Sequence, residues 1–142
     1  MRSALAQLLF PEPARRFRGE RWVNVALRSL HLVGVAGIGG GFLFDQPPAA
    51  WETYWHLTVG SGVALSALYL WGTAAWLFEL KGLSIVIKTL LLAVALWLPA
   101  LRAELFVVVV ILSGLIAHAP AWVRGYRWFG PPAPVPERRR RF

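Results

Sequence analysis

The chain contains no cysteine, and Met1 is its only methionine. The missing cysteine excludes disulfides, thiolate catalysis and iron–sulfur ligation, and the near-absence of sulfur argues against a copper(I) pathway, which favours soft ligands. Acidic residues are also scarce: seven Asp and Glu stand against 15 Lys and Arg, for a net charge of +8. Asp45, Glu52, Glu79 and Glu104 all fall near the ends of apolar segments. A proton- or sodium-coupled transporter usually needs a carboxylate deep in a span, so transport is disfavoured. No Ser-His-Asp grouping, phosphate loop or HExxH pattern occurs, which leaves hydrolase chemistry without support.

What the chain has instead is hydrocarbon. Hydrophobic residues make up 57% and charged residues 15%, where a soluble domain carries about 25% charge. Four apolar segments, at about 22–44, 51–78, 83–98 and 105–122, are expected to cross the bilayer as helices. Asp45-Gln46-Pro47-Pro48 ends the first, the polar turn Glu79-Leu80-Lys81-Gly82 follows the second, and Pro99 ends the third. The expected fold is an all-α integral membrane protein, a four-transmembrane-helix bundle over residues 22–126. Residues 1–21 form a basic interfacial segment and residues 127–142 a Pro- and Arg-rich tail.

Of the Lys and Arg, only Arg28, Lys88 and Arg102 lie in the spans or the loops on one side; the rest lie in the two ends and the Glu79–Lys81 turn. By the positive-inside rule both termini are cytoplasmic, in a bacterial-type inner membrane. The same charge points to anionic lipid headgroups as partners rather than nucleic acid, with the cluster Arg138 to Arg141 on a Pro-rich spacer.

Polar groups inside hydrocarbon are costly, and they mark where function lies. Counting 1.5 Å per residue, His31 lies about 13 Å and Arg28 about 9 Å from the cytoplasmic end of the first span; Lys88 and His118 lie about 10 and 9 Å in. The four share one layer. His56 lies near the opposite surface, close to Glu52, and reads as an interfacial residue. Asn24, Arg28 and His31 form one stripe directed into the bundle. Gly34 stands one turn from His31, and Gly114 one turn from His118, each on the histidine's own face. A flat macrocycle between the first and fourth helices needs this combination: two imidazoles on opposite sides and bare backbone where the ring passes. The expectation is haem b, with His31 and His118 as axial ligands and Arg28 and Lys88 at the propionates. Close helix packing explains the same glycines without a cofactor.

Leu27-Arg28-Ser29-Leu30-His31 running into glycines, and Lys88-Thr89-Leu90-Leu91-Leu92 two helices later, resemble the four-helix core of HemJ-type membrane protoporphyrinogen oxidases and the related CopD-like domains. The resemblance implies a haem b protein in which His31 and Lys88 occupy the signature functional positions. Three functions follow as expectations. The first is a b-type cytochrome transferring electrons, as a small subunit among other membrane subunits. The second is a HemJ-like oxidase, and the third a cofactor-free accessory or assembly subunit.

Overall fold

The computed structural model describes residues 9–11, 13–124 and 126, and these form helices with no β-strand among them. The helices are α1 (Glu20–Leu43), α2 (Pro48–Gly72), α3 (Leu80–Trp97), α4 (Arg102–His118) and the single turn α5 (Ala121–Arg124). The tail at 127–142 and residues 1–8 lie outside the described residues. Three of the helical segments, Glu20–Leu43, Leu80–Trp97 and Pro99–His118, are long and apolar enough to cross a membrane. The chain is therefore a multi-pass membrane protein by length and composition. α2 has the length but not the apolarity, because Thr53, Tyr54, His56, Thr58, Ser61 and Ser66 dilute it.

Local chemistry sets the helix ends. α1 starts after Gly19, whose φ of 87° suits glycine, and ends in a Schellman closure. There Asp45 takes a φ of 48°, and the Gln46 N–H reaches the Gly41 carbonyl at 2.9 Å. Pro48 then opens α2, where its missing N–H costs nothing.

The expected second helix through residue 78 is corrected by the structure. α2 stops at Gly72, Thr73 is extended, and Ala74–Phe78 forms a 3₁₀ turn. The Thr73 hydroxyl accepts the Ala75 N–H at 3.3 Å, a local bond that competes with the helix. The apolar residues Ala74 to Phe78 hide this break from a hydropathy reading. Glu79 accordingly precedes α3, and Leu80 to Gly82 are helical rather than a turn.

The helices pack as two hairpins, α1 with α2 and α3 with α4. α1 and α2 approach closely because α1 presents glycine. A Cβ on Gly41 would lie 2.5 Å from Trp51 Cδ1, and one on Gly34 would lie 2.8 Å from the backbone nitrogen of Thr58. The hairpins join through Ile38, Phe42, Trp51, Ala95 and Phe106, with Val35 and Leu92 packed against them. Elsewhere large apolar side chains such as Leu32, Val63, Leu90 and Leu115 are exposed, the surface a lipid-facing bundle presents.

Candidate functional site

Two helical stripes enter that core and continue below it as polar residues. On α1, Phe42, Ile38, Val35 and His31 follow steps of four, three and four; on α3, Ala95, Leu92 and Lys88 follow steps of three and four. Residues so spaced share one helix face. His31 therefore lies one turn below Val35, and Lys88 one turn below Leu92, on faces that meet in the core. His31 and Lys88 thus stand one turn from the same core cluster, on the two hairpins.

His31 is held by α2. Its Nδ1 lies 3.0 Å from the Thr58 carbonyl oxygen and 3.0 Å from Ser61 Oγ. A carbonyl only accepts, so the network assigns the hydrogen to Nδ1. The Ser61 hydroxyl donates its own hydrogen to the Leu57 carbonyl at 2.6 Å, which leaves it an acceptor toward the ring. In the neutral imidazole Nε2 then carries the lone pair. Metal-ligating histidines are built this way, with the second ring nitrogen donating to a carbonyl.

Arg28, one turn nearer the start of α1, is exposed and donates from Nη2 to the Tyr69 hydroxyl at 2.6 Å. Tyr69 in turn stacks on the buried Trp76, with ring centres 5.5 Å apart. Arg28 is thereby tied to α2 and the 3₁₀ turn beyond it. Asn24 extends the stripe; its amide donates to the Glu20 carbonyl at 3.1 Å, and its Oδ1 is buried with no partner among the described residues.

His118 stands elsewhere. It is the last residue of α4 and is exposed. Twelve residues separate it from Phe106, which turns it about 120° around the helix from the face that Phe106 puts into the core. Gly114 shares that flank, and a Cβ there would meet nothing within 4 Å. Gly34, by contrast, faces Thr58, so the bare backbone beside His31 is filled by α2. His56 is exposed and lies 2.9 Å from its own helix's Glu52 carbonyl, an ordinary local bond. A cavity of 170 Å³ lined by Leu80, Leu83, Ser84, Ile87, Leu112 and Ile116 separates α3 from α4 and touches none of the three histidines.

The His31 side offers one imidazole whose Nδ1 is engaged by α2, with Arg28 one turn away on the same helix and Lys88 on the facing hairpin. The helices present no second histidine to that side, and among the described residues no three His, Asp or Glu gather as a metal-holding group. Sequence reasoning missed Thr58, Ser61 and Gly62. Their signal was a Thr-x-x-Ser-Gly face in the middle of α2, one that turns toward the His31 stripe. No family model, no curated protein and no solved structure matches the chain.

Proposed function

We propose that the chain is a small haem b protein of the membrane, with His31 as the axial ligand and Arg28 and Lys88 as the cations facing the propionates. The observation that carries this is the Nδ1 bond of the half-buried His31 to the Thr58 carbonyl, which leaves Nε2 as the donor atom. A bound haem would supply one-electron chemistry, and the role proposed for it is electron transfer within a larger membrane assembly. α2 counts as a fourth span in this proposal, because Thr58 and Ser61 in its middle are buried and return their hydroxyls to carbonyls of the same helix. Four spans put both termini on one side, and the distribution of Lys and Arg makes that side cytoplasmic.

The visible spectrum of purified protein, oxidised and reduced, tests the haem. The expected result is a sharp b-type band on reduction that His31→Ala abolishes. Loss of the band in His118→Ala as well gives the second ligand to the exposed flank of α4, and survival of the band removes His118 from the site. Clean, folded protein with no band after haem supplementation overturns the proposal and leaves the accessory-subunit role.

A second function is favoured by one specific observation, the placement of His31 and Lys88 one turn from the same core cluster on α1 and α3. These are the two positions that the HemJ-type resemblance marks as functional. A porphyrinogen oxidase at this layer requires both, so rescue of a strain lacking that activity, lost in His31→Ala and in Lys88→Ala alike, decides for the enzyme.

A further inference from the structure

The patch of α2 that receives His31 consists of Thr58, Ser61 and Gly62, spaced so that all three share one face of the helix. Thr58 supplies its carbonyl oxygen, whose second lone pair is left to the ring when the first takes the helical hydrogen bond and the Ser61 hydroxyl, 3.2 Å away, donates to Leu57 instead. Reaching that lone pair requires the imidazole to lie almost on the backbone of α2. Gly62 allows it: a Cβ at this position would stand 3.2 Å from His31 Cε1 and 3.6 Å from Nδ1. Even an alanine at this position requires the ring to give by a few tenths of an ångström.

We infer that Gly62 is a positioning residue for His31: by lacking a side chain it seats the ring on the Thr58 carbonyl, commits Nδ1 as a donor and reserves Nε2 for whatever the site binds. This deepens the proposed function, since it rests on His31 being the working residue of the layer. It does not depend on the identity of the ligand. Gly60, two residues earlier, gives an internal control, because a Cβ there would meet nothing within 4 Å. Substitution at either glycine changes the backbone entropy and helix propensity of α2 alike. Only substitution at Gly62 moves the ring.

The test is nitrogen NMR on protein carrying isotope-labelled histidine, in detergent micelles at alkaline pH without haem. His56→Gln and His118→Gln are introduced first, so that His31 is the sole histidine. The expected parent spectrum has a protonated Nδ1 and an unprotonated Nε2. Weakening one hydrogen bond changes the tautomer ratio by about fivefold, so Gly62→Ala shifts it by that order and Gly62→Val by more, while Gly60→Ala and Gly60→Val leave it unchanged. Helix content reports folding, and Gly62→Ala carries the test if the valine variant does not fold. Equal tautomers in the parent, or identical behaviour of the Gly60 and Gly62 series, overturns the inference. Because no haem is present, the two proposals fail separately. A protonated Nδ1 in protein that never shows a haem band keeps the role of Gly62 and removes the cofactor, whereas a haem band with a tautomer indifferent to Gly62 does the reverse.

Discussion

At the scale of single residues, neighbouring glycines in α1 carry opposite requirements. Gly41 faces Trp51, whose Cβ, Cγ and Cδ1 all lie within 2.6 Å of where a Cβ would stand. Trp51 is buried and packs edge-on against Phe42, so it has no room to yield. Gly41→Ala is expected to destabilise the protein by about 1–3 kcal/mol, the usual cost of overpacking. Gly40 meets nothing within 4 Å. Gly40→Ala is expected to be neutral or to stabilise by up to about 1 kcal/mol through helix propensity. Denaturant unfolding in micelles, followed by tryptophan fluorescence, measures both. Equal effects at the two positions would show that the glycines serve something other than this helix contact. The sequence made it legible that α1 is approached closely along a glycine face; which helix approaches was not, because small residues say that a neighbour is near and nothing about its identity. His31 illustrates the same limit. Its cost in hydrocarbon announced a partner, and that partner proved to be a backbone carbonyl of α2, a group every residue carries.

At the scale of helices, four elements meet at Arg102. This first residue of α4 lies with its guanidinium carbon 5.2 Å from the ring centre of Phe42 in α1 and 5.3 Å from that of Trp51 in α2. Its Nε donates to the Ala95 carbonyl of α3 at 3.4 Å. A half-buried cation over two aromatic rings contributes about 1 kcal/mol. Arg102→Gln is therefore expected to lower the unfolding free energy by about that amount, and Arg102→Lys by less, since a lysine keeps the charge and loses the planar stack. A charge-neutral substitution with no effect on thermal unfolding would remove Arg102 from the junction of the hairpins. The helices themselves were legible because length and hydropathy are properties of a stretch. Arg102 read only as the polar end of a loop. Its placement depends on Phe42 and Trp51, sixty and fifty-one positions away, and periodicity does not reach across such separations. The break at Thr73 was hidden for the opposite reason: it is made by one hydroxyl inside a stretch whose average stays apolar.

At the scale of the whole molecule, the open quantity is whether α2 crosses the membrane. Three helical segments pass on apolarity alone, and a three-span chain would put its termini on opposite sides. Several features of α2 argue for crossing. Thr58 and Ser61 return their hydroxyls to the carbonyls of Tyr54 and Leu57, which removes two donors from the lipid, and both residues are buried. Glu52 and His56, its most polar groups, sit within about two turns of the helix start, where the bilayer interface is close. The α1–α2 hairpin also closes over only Phe44 to Pro47, so α2 returns beside α1 along the same membrane depth. The lack of native cysteine makes the experiment direct. Single cysteines at Arg18, Gln46, Leu77 and Ala100 are tested in intact cells with a membrane-impermeant maleimide. A crossing α2 labels Gln46→Cys and Ala100→Cys from outside and leaves Arg18→Cys and Leu77→Cys protected until the cells are opened. An α2 lying on the outer surface labels Gln46→Cys and Leu77→Cys together and protects Ala100→Cys. The second pattern would place the His31 layer at a membrane surface, and with it would go the water-poor setting that makes a lone Nε2 useful as a ligand.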